Sequence, residues 1–516
     1  MANPIEVFGS IKGMTRDFAV DDLPDGYLWN LVDAIPNRKG ARLDMRGGWA
    51  YHGTADYGDR IQGGYYAAFN KGEKLLVVAD SQIWDVHLTT GAITTEGAGP
   101  ATLLQNGVKL HDKVYFFDGA GLIVPKEVAY DGADVTVTDL GATAPKAKVG
   151  ISYKNRLVVG GDPANPQRIS FAPIPEDGGP AGTWDTAEAW IDTSNPVTGL
   201  APMAGQMLVF HPAAIERVRG TVPPGVDVDD DMYVETLTDQ VGCVQPQTIV
   251  PWRENIIFAD ERGVFITDGS TVRNLIELGG MGDFWRQAYG NRILGQPSVS
   301  CGTFLDFLLV TVVCNIDSQI VPFTLICDLG SRAWFRFRNY HATCYIPSES
   351  SIEESFCGHY VTDRLMKTSP MFQDQLPLAS PPPDYIDGDG SAVYTRLATG
   401  FKRLSKEEGM KRIRNVLVSY HHESETRSPL PAGLKIEYLI DPPHPEENDP
   451  ISGDPTGWIE AGQLPDVVEY SRKKLPIGKR GYGVMIRLTS ISPARTSRYF
   501  SIAVESQAQD RGKVTT

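Results

Sequence analysis

The sequence is poor in several of the things that mark common classes of protein. Only six cysteines occur in 516 residues, and none is paired as Cys-x-x-Cys. That pattern excludes the usual zinc ribbons and redox motifs and argues against a disulfide framework. No apolar stretch approaches the ~18 residues of a spanning helix. The opening Met1-Ala2-Asn3-Pro4-Ile5-Glu6-Val7 has neither a basic region nor an apolar core of a secretory leader. The expectation is a chain made in a cytosol that stays soluble. Cations are also in deficit: 48 Lys and Arg stand against 64 Asp and Glu, a formal net charge of -16. Such a chain does not hold nucleic acid by neutralising phosphates, although an acidic surface could let DNA slide past without sticking.

Signatures of chemistry are missing too. There is no Gly-x-Ser-x-Gly elbow, no His-Glu-x-x-His, no Walker loop and no dinucleotide fingerprint. The adjacent His421 and His422 end a strand-like run, where neighbours point to opposite faces and do not share a metal. Asp227, Asp229, Asp230 and Asp231 form an acidic loop, read as a solvated loop that could face a lumen. Asp384, Asp387 and Asp389, with Gly388 and Gly390 between and after them, are weak candidates for a calcium loop; a plain turn is the better reading. Acidic residues are so numerous that a glycosidase-type carboxylate pair cannot be singled out. Trp184, Trp190, Trp252, Trp285 and Trp334 could stack sugars but sit where packing residues belong. The expectation is therefore no catalytic residue, no cofactor, no assigned metal and no enzyme.

What the chain has in abundance is short apolar strands between turn formers. Gly64-Tyr65-Tyr66-Ala67-Ala68-Phe69, the turn Asn70-Lys71-Gly72-Glu73, Lys74-Leu75-Leu76-Val77-Val78-Ala79-Asp80, Gln82-Ile83-Trp84-Asp85-Val86-His87-Leu88 and the turn Thr90-Gly91 follow one another. The same syntax recurs around Val108–Gly119, Val149–Gly161, Thr248–Ser270 and Phe304–Trp334, at a spacing of roughly 40–45 residues. Helical periodicity is almost absent; Gly282–Tyr289 predicts one short helix. Leu376-Pro377-Leu378-Ala379-Ser380-Pro381-Pro382-Pro383 reads as an extended linker. Beyond it lies a basic stretch (Lys402, Arg403, Lys406, Lys411, Arg412, Arg414), read as a solvated connector or an intersubunit ionic contact. Strands that alternate with period two then resume, such as Leu434–Ile440 and Gly483–Leu488. The fold class expected is all-β: a β-propeller of about six to seven blades with a C-terminal β-sandwich. The divisions are 1–55, an N-terminal arm and first strands; 56–394, the propeller; 395–506, the sandwich; and 507–516, a polar tail.

Phe8-Gly9-Ser10-Ile11-Lys12-Gly13-Met14-Thr15-Arg16-Asp17 runs into Asp22-Leu23-Pro24-Asp25-Gly26, Asn30-Leu31-Val32-Asp33 and Arg46-Gly47-Gly48-Trp49. In that order these phrases resemble the N-terminus of bacteriophage tail β-propeller proteins, with a departure at Met14, where that family often has Asn. Arg156–Gly161 with Arg168–Phe171, Ile215–Gly220 with Val241–Pro246, Gly263–Gly269, Ile326–Trp334 and Arg480–Leu488 extend the likeness along most of the chain. The resemblance is to tail nozzle, or packaged-DNA-stabilising, proteins of short-tailed phages and to propeller-type minor tail proteins of long-tailed ones. It implies a structural virion protein assembled in a bacterial cytoplasm. Its implied partners are copies of itself in a ring (a hexamer), neighbouring tail or connector proteins, and DNA passing without specific binding. The alternative it leaves open is a peripheral tail protein that binds a host-surface receptor or glycan.

Overall fold

The structure is a computed structural model of the chain. It describes residues 5–8, 12–17, 23–24, 27–36, 43–46, 48–174, 184, 189–223, 231–293, 298–316, 319–337, 340, 342–349, 355–360, 362–368, 396–399, 402–403, 411–424, 434–441, 457–464, 467–490 and 494–508.

Tight turns set the local pattern. Lys154 and Asn155 both have positive φ, 49° and 59°, between Tyr153 and its direct partner Arg156. Two consecutive left-handed residues match the right-handed twist of the flanking strands, so the chain reverses in two residues. Asp80 and Ser81 do the same between Ala79 and Gln82. Repetition of such hairpins yields four-stranded antiparallel sheets in sequence order within residues 63–98, 108–139, 149–192, 199–238 and 250–274. A sixth four-strand run, Val299–Phe304, Phe307–Ile316, Gln319–Asp328 and Ala333–Phe337, forms one end of an eleven-stranded sheet. A further sheet takes three strands from the middle of the chain, Ala342–Ile346, Phe356–His359 and Leu365–Lys367. Its fourth is Ala50–Tyr51, paired through Met366 and Tyr51.

The second strand of the first sheet explains how these sheets stack. Its run Leu75-Leu76-Val77-Val78-Ala79 is wholly buried. Leu75, Val77 and Ala79 pack with Cys344, Ile346 and Phe356 of the last sheet, whereas Leu76 and Val78 pack with Val114 and Phe116 of the second. Successive side chains on a strand point to opposite faces, so a continuous apolar run is what a strand covered on both faces requires. The same division holds further on. Tyr115 and Phe117 meet Leu157 and Val159; Val158 meets Met207 and Val209; Leu208 and Phe210 meet Ile256 and Phe258; Ile257 and Ala259 join the core that holds Leu308 and Val310. Each sheet is thus sandwiched by the previous and the next. The series returns on itself, because Ala342–Ile346 lies beside Gly63–Phe69, with a parallel bridge from Tyr66 to Ser348. This is a propeller-like all-β architecture.

The remaining strands build two more sheet regions. Tyr27–Val32 joins Ala333–Phe337 to Arg396–Thr399, and Gly483–Ser490, Leu434–Ile440 and Ile459–Leu464 continue that sheet. The other sheet runs Val467–Gly481, Lys411–Ser424, Ala494–Ala508, Leu43–Met45, Ala34–Pro36, with Ile5–Phe8 also on Ala494–Ala508. Ile413, Val416 and Val418 of the second sheet share one apolar core with Ile436, Ile486 and Leu488 of the first. The basic stretch read as a connector is therefore partly strand: Lys402–Arg403 and Lys411–Ser424 are paired. The expected helix is present as Gly282–Gly290 (α2), preceded by a short turn of helix at Leu275–Leu278 (α1) that the pattern did not announce.

All six cysteines are free and buried. Burial pushes the thiols of Cys243 and Cys357 up to about 12 and that of Cys314 to about 11. The thiolate is the reactive form, so a thiol-specific chromogenic reagent should count none of the six in the native protein and all six in denaturant.

Candidate functional site

Where the first strands converge they enclose a cavity of about 770 Å³, to which each contributes: Tyr65, Val108, Ile151, Leu200, Val250, Cys301 and Tyr345. Close convergence leaves no room for side chains at some wall positions. A Cβ on the wall residue Gly302 would lie 2.4 Å from Tyr345. The wall is largely apolar, with Val108, Ile151, Leu200, Ile249, Phe304 and Ile346 prominent.

The two ends differ. At the end where the first strands begin, the 3-10 turn Pro246–Thr248 crosses the space. Gln247 is 7% exposed there, and its Nε2 donates to the carbonyls of Gln62 and Leu103, each at 2.9 Å. One side chain thus ties the fifth sheet to the entrances of the first and second. Neighbouring amides add to the clasp. Asn106 accepts from Gly64 N–H at 3.2 Å and donates to Tyr345 O at 2.8 Å, and Gln105 exchanges two bonds with Gly150. Gln247→Ala should cost ~1–3 kcal/mol, because two carbonyls lose their donor inside the protein; urea unfolding measures it.

At the other end the cavity opens between charged groups. Glu349 accepts from Tyr65 Oη at 2.8 Å and from Lys109 Nζ at 2.7 Å, and Arg253 donates to Asp306 at 3.0 Å. Burial, and then the Glu349 charge, hold the Tyr65 phenol well above its usual value. This mouth is a polar rim over an apolar cup, a shape suited to a small molecule or an inserted side chain.

The residues singled out from sequence do not gather at this cavity. Asp231 is exposed, and its carboxylate accepts from Val222 N–H at 2.7 Å and Thr221 N–H at 2.5 Å, bonds that hold it below the usual carboxylate range. It closes a loop. Asp227, Asp229 and Asp230 lie outside the described residues, as do Asp384, Asp387, Asp389 and the linker 376–383. His421 and His422 are consecutive in one strand, facing Arg498 and Ser497. Among the described residues no group of three or more His, Cys, Asp or Glu side chains could hold a metal, and no helix is long and apolar enough to cross a membrane. Trp184, Trp285 and Trp334 are buried; the indole N–H of Trp285 donates to Asp260 O and that of Trp334 to Leu275 O. Arg168 covers Trp190, with 3.6 Å from its guanidinium to the ring centre, and Arg253 lies 4.8 Å from Trp252. Sequence reading missed Gln105, Asn106 and Gln247. Their one local mark is an amide placed a few residues ahead of an apolar strand.

No known protein family matches the chain, and no curated protein matches it. Among solved structures, it is similar to the computationally designed Ika8 protein at 11% identity, over 62% of this chain and 98% of that one, with a TM-score of 0.35. The extracellular domain of a putative one component system, BT4673 from B. thetaiotaomicron, is 10% identical over 89% of this chain and 61% of its own, with a TM-score of 0.40. The N-terminal domain of Nup159 is 10% identical over 62% and 95%, with a TM-score of 0.36. At TM-scores this low none of these likenesses fixes a fold or a function for the chain.

Proposed function

We propose that the chain is a structural, non-catalytic component of a bacteriophage tail, a seven-bladed propeller joined to a β-sandwich, that assembles as a ring around the path by which DNA leaves the virion. The observation that carries this reading is where the phrases of the resemblance fall. Thr15 Oγ1 donates to Gly280 O at 2.7 Å, and Asp17 accepts from the N–H groups of Gly282 and Asp283, capping α2 from across the chain. Arg16 lies 4.5 Å from the Trp29 ring centre. Asp33 and Arg46 form a buried ion pair, and Trp49 sits buried beside Tyr51 and His359. These residues join the propeller-like part to the C-terminal sheets. The N-terminal phrases of the likeness thus serve contacts that hold the architecture together, the kind a scaffold shares with its relatives.

The remaining features suit the same reading. Seven four-strand units stacked in a closed series leave short, protected edges. The chain's own cavity is crossed by Gln247, so the DNA path belongs to the centre of an assembly of copies, where an acidic surface repels phosphate and prevents sticking. Connector proteins are the neighbours this placement calls for. A second reading, a peripheral tail protein that binds a host-surface receptor, is favoured by the open mouth with Tyr65, Lys109 and Glu349.

Solution mass together with negative-stain images tests the proposal. Closed rings with a central hole are expected. Single propellers at every concentration, with a host-surface ligand that binds the wild type but not Glu349→Gln, would replace it with the receptor reading.

A further inference from the structure

Charge is divided unevenly along the chain. Residues 1–394 hold 29 Lys and Arg against 49 Asp and Glu, a net of -20, while residues 395–516 hold 19 against 15, a net of +4. The structure concentrates part of that surplus on one surface. In the pair Lys411–Ser424 and Val467–Gly481, Ile413, Val416 and Val418 point into the shared core, and Leu475 and Ile477 pack half-buried against it. Arg412, Arg414, Lys474, Lys479 and Arg480 are exposed. Arg412 stands directly opposite Arg480 on the outer face, whereas Lys479, opposite the core-facing Ile413, is exposed on the other side of the sheet. Glu505 is bonded on this surface: it takes Lys474 Nζ at 2.6 Å and Asn415 Nδ2 at 2.6 Å, and the Arg414 charge also helps hold its carboxyl low.

Like charges directly opposite one another on paired strands are destabilising. Val467–Gly481 is the edge strand of its sheet, and lysines on an edge discourage strand addition. That accounts for Lys474 and Lys479. It does not account for Arg412, which sits on the interior strand opposite Arg480, where no edge needs protection. The acidic remainder of the chain supplies a complementary surface. Asp56 and Asp59 are exposed beside Asp363, so one carboxylate group repels the next there. Among the described residues, exposed large apolar side chains fall in separate segments of the chain, for example Leu122, Ile174 and Val244.

We propose that the basic face built by Arg412, Arg414, Lys474 and Arg480 docks against the acidic exterior of residues 1–394 of a second copy of the chain. Copies then associate head to tail through complementary charge, a heterologous contact that closes into a ring when the rotation allows. This rests on the assembly reading above and names the surface responsible.

The test compares the wild-type chain with the double variant Arg412→Glu/Arg480→Glu by sedimentation velocity, at low salt and at ~0.5 M salt, where screening is short-ranged. Thermal unfolding of both proteins shows that the variant is folded; removing the Arg412–Arg480 repulsion by Arg412→Gln provides a milder second variant. Assembly of the wild type at low salt, its loss at high salt, and at least a ~30-fold weaker self-association of the folded variant, in line with loss of steering and complementarity, are expected. Equal assembly of wild type and variants overturns the inference and leaves the assembly reading standing. A wild type that is monomeric under all conditions removes the assembly reading itself. A duplex DNA probe retarded by the wild type but not by the variant assigns the face to nucleic acid and overturns the proposal.

Discussion

A chain that starts at residue 52 will fail to fold cooperatively and will be recovered aggregated or as an expanded state. The truncation removes Ala50–Tyr51, the fourth strand of the sheet that ends the closed series. It also removes Tyr27–Val32, through which the sixth four-strand run is joined to the C-terminal strands, and Ile5–Phe8, Ala34–Pro36 and Leu43–Met45 from the second C-terminal sheet. Met14, Leu28, Leu31, Ile35, Leu43 and Trp49 leave the largest apolar core with it. Burial contributes about 1.5–3 kcal/mol for each fully covered large apolar side chain, and total stabilities are only about 5–15 kcal/mol. The loss therefore exceeds the margin. Near-ultraviolet circular dichroism and size-exclusion chromatography check it; a monomeric truncated chain with a sharp unfolding transition contradicts it. Adding the missing segment as a separate peptide should restore part of the native signal, because its strands dock by hydrogen bonds and apolar contacts without a covalent link.

The second large effect belongs to Asp33 and Arg46. Arg46 Nε donates to Asp33 Oδ1 at 2.8 Å, and the two side chains are 1% and 2% exposed. The backbone repeats the contact: Arg46 N–H donates to Asp33 O, and Asp33 N–H to Arg336 O. The Arg46 guanidinium also lies 5.2 Å from the centre of the Phe337 ring. Asp33 has φ 55°, a conformation that Asn tolerates nearly as well. Asp33→Asn thus removes the charge with little backbone cost and takes the bonded carboxylate away from a buried guanidinium. The expected loss is ~3–5 kcal/mol, the cost of breaking a buried pair. Arg46→Met should cost a similar amount by stranding the carboxylate. The double variant should recover a good part, since no isolated charge remains. A double-mutant cycle from chemical denaturation measures the coupling, and additive losses would falsify the assignment of this pair as a unit.

Both effects arise at the joint between the propeller-like part and the C-terminal sheets, which bears on how the proposed assembly works. If the basic face of one copy presses on the acidic exterior of another, force between copies passes through this joint.

Much of this architecture is legible in local patterns. The run Leu75–Ala79 has no polar interruption, which marks a strand covered on both faces, and the structure distributes its alternate residues between two stacks. Asn155 and Asp80 suit the two-residue turns they occupy because Asn and Asp tolerate left-handed backbone more readily than β-branched residues. The Gly282–Tyr289 segment reads as a helix and is one. The apolar company of the cysteines marks them as buried thiols. These properties are decided within a few residues, by backbone sterics and by the period of burial, so composition and order suffice.

Which strand lies beside which is another matter. Every strand offers the same N–H and C=O groups along its edges, and nothing in Ala50-Tyr51 announces that its partner is Leu365–Lys367, more than three hundred residues away. Nor does the basic run 402–414 reveal that its second half is an interior strand with cations outward and Ile413 inward. Gln247 is one glutamine among many until the closing of the sheets places the carbonyls of Gln62 and Leu103 within its reach. Trp285 and Trp334, two of the tryptophans that might have stacked sugars, are committed to buried carbonyls for the same reason. The sequence by itself determined that the chain is a series of short strands and tight turns, because those are local matters of backbone conformation and burial. Only the tertiary structure decided the partners, the cavity and the basic face, because these depend on contacts between residues whose separation along the chain carries no local signal.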